Sequence, residues 1–233
     1  ITLFTNKDDI VLDFFSGSGT TGQAVMEFNT KNDAKRKFIL VQLPEDLDAE
    51  VEKQTDTNKK EMQELIDYLN SVNRPHLLSE IGKERLLQAG KTLKVTGIDG
   101  GFRVLKLDDS NMNDVYYNPE EYSQDLLSAL ESNVKSDRTD LDLLFGCLLE
   151  WGIPLSLPYS SEEIDGCTVH NYNDGDLIAC FGENIPESVI KWMAKQQPLR
   201  AVFRNSGFAD SPSKINVGEI FKLMAPDTRV KVI

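Results

Sequence analysis

The chain has 233 residues, of which 40% are hydrophobic and 27% charged, enough apolar material for one large packed domain or two small ones and too much for a wholly disordered chain. Its 25 Lys and Arg face 38 Asp and Glu, a net charge of −13. Such a chain does not grip nucleic acid strongly by itself, because non-specific affinity comes from basic side chains on phosphates, and only a shared or minority contact is compatible with the balance.

Ile10 to Phe15 (IVLDFF) reads as a short buried strand. A Gly/Ser/Thr turn follows from Ser16 to Thr21, and Gly22 to Phe28 has helical spacing with Ala24, Val25 and Phe28 on one face. A polar stretch from Asn29 to Arg36 closes the unit, and Lys37 to Leu43 (KFILVQL) is a second strand of the continuous apolar kind found in covered parallel sheets. The opening 45 residues therefore predict one strand–turn–helix–strand unit. Pro44 to Lys60 is polar without an apolar period and reads as a solvated loop. Glu61–Leu69 and Leu77–Ala89 read as amphipathic helices, separated at Arg74-Pro75, with Gly90 as the stop of the second.

A strand is expected at Gly101–Leu107, and helices at Glu120–Leu130 and Asp140–Trp151, the latter capped by Thr139 or Asp140. Strands at 177–181, 199–203 and 228–233 then alternate with helices at 187–194 and 214–224, the pattern of βαβ crossovers. The glycines at 97, 100 and 101 suggest a boundary. Residues 1–97 carry 13 basic and 16 acidic side chains, net −3, and residues 98–233 carry 12 and 22, net −10. The expected fold class is α/β: a partial Rossmann-like unit over 1–97, then an α/β C-terminal domain over 98–233 built on a small, mainly parallel sheet.

The informative segment is Asp13-Phe14-Phe15-Ser16-Gly17-Ser18-Gly19-Thr20-Thr21-Gly22, placed where a strand hands over to a helix and where a ligand can reach backbone N–H groups. Several readings compete. Gly17 and Gly22 have P-loop spacing, but Gln23-Ala24 stand where the phosphate-binding lysine belongs. Gly17, Gly19 and Gly22 match the dinucleotide pattern G-x-G-x-x-G, but Gln42, with Glu45 slightly later, stands where an acid would hold the ribose of NAD. An S-adenosylmethionine site needs an acid at the strand end and a turn close to the cofactor, with no phosphate to neutralise. The remaining alternative is an ordinary turn with packing glycines.

The full string from Leu12 to Thr21 resembles the F-x-G-S-G-T-T cofactor motif of amino-DNA methyltransferases of the β arrangement, which is more specific than the glycines alone. Further stretches look like the modification (Mod) subunit of type III restriction–modification systems. These are Arg36 to Glu45, Ile81-Gly82-Lys83-Glu84-Arg85, Gly101 to Leu107, Phe203 to Asp210 and Lys214-Ile215-Asn216. The resemblance implies a subunit that transfers methyl from S-adenosylmethionine to adenine N6 in a specific double-stranded DNA site, and that assembles with a second Mod subunit and a restriction (helicase–nuclease) subunit. It implies cofactor contacts at Asp13, Phe15, Gly17, Ser18, Gly19 and Thr20, with Gln42 or Glu45 toward the ribose. In the β arrangement the catalytic D-P-P-Y tetrad precedes this motif. The nearest strings here, Asn118-Pro119-Glu120 and Leu157-Pro158-Tyr159, lack its order, so no catalytic residue is expected in the chain. The chain is expected to be the C-terminal piece of such a subunit and inactive alone, an expectation that its start at Ile1 without Met also suggests.

The other conspicuous residues carry blander expectations. His76 reads as a capping or solvent residue. His170, Cys167 and Cys180 have no familiar zinc spacing, and no metal site is expected. Three scattered cysteines suit a reducing, cytoplasmic location. No apolar run approaches the roughly 18 residues of a membrane span. Trp151 and Trp192 read as core or interface anchors, Glu120-Glu121 and Glu162-Glu163 as solvated faces, and the basic cluster Lys31, Lys35, Arg36, Lys37 as a solvated loop.

Overall fold

A computed structural model describes residues 4–93, 100–113, 133–208 and 211–233. The chain divides into two compact units, split after Val104.

In the first unit, β1 (Ile10–Asp13) and β2 (Lys37–Leu40) pair in parallel, with Leu12 opposite Ile39 and Asp13 opposite Leu40. Helix α1 (Thr20–Asn32) connects them. It runs past the expected end because Asn29 is buried, its amide donating to the Arg36 carbonyl and its Oδ1 accepting from the Arg36 N–H. The expected loop from Pro44 to Lys60 instead holds a short helix and the first turn of a longer one, which contains the helix expected at 61–69. Helix α2 (Leu47–Val51) is capped by Asp46, whose carboxylate accepts from the Asp48 and Ala49 N–H groups, and α3 covers Asp56–Ser71. With only Leu47 and Val51 turned inward, toward Ile66, Leu69 and Ile81, the short helix leaves no readable period. Helix α4 (Leu78–Leu93) passes through Gly90, which lies against the backbone of Gly100 rather than ending the helix. The expected strand at 101–107 takes no regular form. Phe102 packs beside Met26, Phe38, Leu40 and Leu86, while Val104, Leu105 and Leu107 are exposed.

One face of the β1–β2 pair is covered by α1 and α4 through Phe38 and Leu40. The other face is apolar and open: Ile10, Leu12 and Ile39, continued by Val41 and Leu43, are all exposed, Leu43 by 70%.

The second unit is a five-stranded sheet in chain order, β3 (Tyr159–Ile164), β4 (Cys167–Tyr172), β5 (Leu177–Cys180), β6 (Arg200–Phe203) and β7 (Arg229–Val232). The β5–β6 and β6–β7 pairs are parallel as expected, but β3–β4 and β4–β5 are antiparallel, so the sheet is mixed rather than mainly parallel. The added hairpin turns at Asp165-Gly166, both at positive φ (46° and 80°), the requirement of a tight hairpin turn. Its β3 reads as polar because it is an edge strand, and Glu162 and Glu163 on it are exposed, which discourages pairing with another chain.

Alternation along the strands feeds two cores. Cys167, Val169, Ile178, Cys180, Ala201 and Phe203 pack under α6 (Glu187–Lys195) and α7 (Ser211–Met224). Tyr172, Leu177, Ala179 and Val202 pack under α5 (Asp140–Glu150). Thr139 caps α5 in a reciprocal box with Asp142, and its backbone N–H, then its hydroxyl, hold the Asp142 carboxyl below its ordinary range. The expected helix at 120–130 lies outside the described residues.

Burial pushes the Cys147 thiol up to about 11 and the Cys180 thiol up to about 12, and all three cysteines are buried. Only the thiolate reacts readily with disulfide reagents, and a free thiol ionises near pH 8.5. The folded chain at pH 8 should therefore release almost no chromophore from a thiol-reactive disulfide within minutes, and three equivalents in guanidinium. Fast native labelling of even one equivalent would contradict this packing.

Candidate functional site

The strand–helix junction after β1 is a tight, cross-braced turn. At the end of β1, Asp13 accepts from the Phe15 N–H at Oδ1 (3.1 Å) and from the Thr21 hydroxyl at Oδ2 (2.6 Å). One carboxylate thus stops the strand at Asp13, short of the expected Phe15, and spans the turn to the first turn of α1. Ser16 N–H donates to the Val41 carbonyl (3.2 Å), and Val41 N–H to the Asp13 carbonyl (2.8 Å), lashing the turn to the end of β2. Gln42 completes the brace: its Oε1 accepts from the Gly17 N–H (2.7 Å) and its Nε2 donates to the Leu43 carbonyl (3.2 Å).

Gly17 and Gly19 sit at φ 51° and 77°, where a side chain is strained. Space is open beside the Gly17 α-carbon, with no heavy atom within 4 Å of where a Cβ would stand. Helix α1 starts after Gly19 with no side chain capping it. The N–H groups of its first turn are therefore left without a side-chain acceptor. Ser18 and Thr20 bring their hydroxyls within 3.4 Å of each other on the same rim. Phe15 is 92% exposed, so it is not a core residue of this unit.

Asp13, Phe15, Gly17, Ser18, Gly19, Thr20 and Gln42 are thus gathered around one bend. Glu45 follows Gln42 by three residues. Its carbonyl accepts from the Leu78 N–H and its side chain is exposed on the segment leading into α2.

Sequence reasoning missed Gly82. On α4 it lies directly against the turn: a Cβ on Gly19 would stand 3.2 Å from the Gly82 carbonyl oxygen, and a Cβ on Gly82 would stand 3.3 Å from the Gly17 carbonyl oxygen. The signal was present in Ile81-Gly82-Lys83-Glu84-Arg85, a segment noticed only for its resemblance. Its charged residues anchor the helix. Lys83 pairs with Glu80, Glu84 takes Arg74 Nε (2.9 Å), and Arg85 reaches Gln23 of α1 (3.2 Å).

The remaining polar candidates have structural partners. His76 bridges Asp48 (2.8 Å) and Asn70 (2.9 Å). His170 lies between Ser161 on β3 and Asp140 on α5. Arg36 is buried rather than solvated: it bonds Thr5 and stacks over the Phe28 ring, which removes it from the basic cluster. Trp192 packs on the α6–α7 core, and Trp151 meets Arg200 and Lys231 across its ring. Among the described residues no helix is long and apolar enough to cross a membrane.

Comparison with known proteins places the turn in context. A family model described as DNA methylase matches residues 1–47, the segment that builds β1, the turn, α1 and β2. The chain is similar to the Mod subunit of the type III restriction–modification enzyme EcoP15I from Escherichia coli, 27% identical over 97% of this chain and 32% of that protein. A stretch of 45 residues is 49% identical to the EcoPI Mod subunit of Escherichia phage P1, covering 19% of this chain and 7% of that one. Another of 40 residues is 55% identical to the StyLTI Mod subunit of Salmonella typhimurium, 17% and 6% respectively. The chain spans about a third of the length of the Escherichia coli relative. The resemblance to type III Mod subunits read from the sequence is borne out.

Proposed function

We propose that this chain is the C-terminal part of a type III DNA methyltransferase subunit, and that its braced turn seats S-adenosylmethionine for transfer to adenine N6 in a specific DNA site. The observation that carries the reading is the Asp13–Thr21 bend, inside the segment matched by a DNA methylase family model. The residues suit that ligand. The bend offers an open glycine surface, uncapped N–H groups at the start of α1 for a carboxylate, and an acidic strand end for an ammonium group. It has no lysine to neutralise a phosphate, which disfavours a nucleotide triphosphate.

When bound, the cofactor supplies an electrophilic methyl group on a sulfonium. The chain's own residues bind and orient. Asp13 fixes the turn through Phe15 and Thr21 while placing a negative charge at the strand end. Gln42 holds the Gly17 amide and so serves the shape of the seat, which leaves the exposed Glu45 as the acid for a ribose hydroxyl. The exposed Phe15 ring offers an apolar surface for the adenosyl group. No acid–Pro–Pro–Tyr string is present in the sequence, so the wall that holds the target base belongs to the part of the subunit preceding this segment. The open apolar face of β1–β2 supports the same reading, because parallel sheets are normally covered on both sides.

The second unit carries a separate reading as an assembly module for a second Mod subunit and the restriction subunit. It is supported by the net charge of −10 over residues 98–233 and by a core of its own. Intact subunit lacking residues 105–233 should lose its oligomeric state or its restriction partner. Unchanged assembly would remove this reading.

The primary reading is tested by incubating the intact subunit with methyl-labelled cofactor and DNA, then digesting the DNA to nucleosides. Label should appear in N6-methyl-2′-deoxyadenosine with the intact subunit and not with this chain alone. Robust transfer by the isolated chain would refute the fragment reading.

A further inference from the structure

We propose that Gly82 of α4 is a positioning residue that sets the depth of the cofactor turn; the inference rests on the reading of that turn as the S-adenosylmethionine seat. Glycine is the least favourable ordinary residue inside a helix after proline, so a buried glycine five residues into a 16-residue helix calls for a physical reason. The reason is mutual backbone contact. Gly19 has little room for a Cβ because of the Gly82 backbone, and Gly82 has little room for one because of the Gly17 carbonyl.

The contact is rigid on both sides. The Gly17 amide is fixed by Gln42, and Asp13 ties both flanks of the turn. Helix α4 is held by Arg74 on the buried Glu84 and by Arg85 on Gln23 of the helix that the turn begins. A methyl group at 82 cannot be absorbed by a flexible side chain, since the atom that it meets is backbone. It pushes the Gly17 carbonyl, and with it the surface beside Gly17, relative to Asp13 and the first turn of α1. Gly82 touches no open rim of the bend, so its effect on ligand binding is exerted through the turn.

The test is Gly82→Ala in the intact subunit, with Gly218→Ala as the comparison. Gly218 lies in α7 with no heavy atom within 4 Å of a Cβ position. Gly82→Ala is expected to raise KM for S-adenosylmethionine about tenfold, as expected when uniform binding is lost, with kcat within about threefold. KM for DNA stays unchanged. Gly218→Ala is expected to leave all three constants unchanged and to raise the melting temperature. An unchanged cofactor KM in Gly82→Ala overturns the inference. If Gly82→Ala does not fold, hydrogen exchange of the unmodified intact subunit decides. Cofactor should slow exchange in residues 78–86 together with 14–22, and protection of 14–22 alone overturns the inference. Failure of the underlying reading is distinguishable, because the unmodified subunit would then bind no S-adenosylmethionine at all.

Discussion

Asp13→Ala in the intact subunit should raise the Kd for S-adenosylmethionine at least tenfold and lower DNA methylation by more than about a hundredfold. The carboxylate accepts two bonds that hold the bend, one from the Phe15 N–H and one from the Thr21 hydroxyl. Hydrogen bonds to a charged acceptor contribute about 1.5–3 kcal/mol each, and about 1.4 kcal/mol is a factor of ten in affinity. Removing the side chain frees both flanks of the turn and removes the negative charge at the strand end. Asp13→Asn keeps an acceptor for one of the two donors and should fall between. Isothermal titration with cofactor, alongside a melting curve, separates loss of the seat from loss of the fold. An alanine variant that folds and binds within twofold of the unmodified subunit would show that Asp13 does not shape the seat.

Ile39→Lys should have opposite consequences in the two forms of the protein. In the isolated chain Ile39 is 51% exposed on the open sheet face, and a surface substitution there changes stability by no more than about 0.5 kcal/mol. In the intact subunit the same position is expected to be covered by the rest of the methyltransferase domain, where an unpaired buried lysine costs several kcal/mol, on the order of 3 or more. The isolated chain should keep its melting temperature, and the intact subunit should melt several degrees lower and lose activity. Equal melting temperatures for intact Ile39→Lys and its parent would mean that nothing covers this face.

The parts legible in the sequence were those governed by local chemistry and strong period. The apolar runs at Ile10 and Lys37 give β1 and β2, Thr139 before the 140–151 pattern gives the α5 cap, though not its reciprocal bond with Asp142, and the closing alternation gives β5, α6, β6, α7 and β7. Elements whose residues look outward escaped. The edge strand β3 is polar along nearly its whole length, and its one clear signal was the Asp165-Gly166 turn. Helix α2 shows only two inward residues. At the site, the bend itself was readable from one string, but the tertiary roles around it were not. Gln42 stands where a ribose partner was expected, and the fold uses its Oε1 on the Gly17 amide. Gly82 is 60 residues or more from the glycines that it supports, and no local pattern records a contact between two backbones.

Calorimetric titration of the intact subunit with S-adenosylmethionine and, separately, with NAD bears most directly on what the bend holds. Saturable heat is expected with S-adenosylmethionine and none with NAD. Binding of NAD alone would assign Gly17, Gly19 and Gly22 to a dinucleotide and contradict the reading of the bend as an S-adenosylmethionine seat.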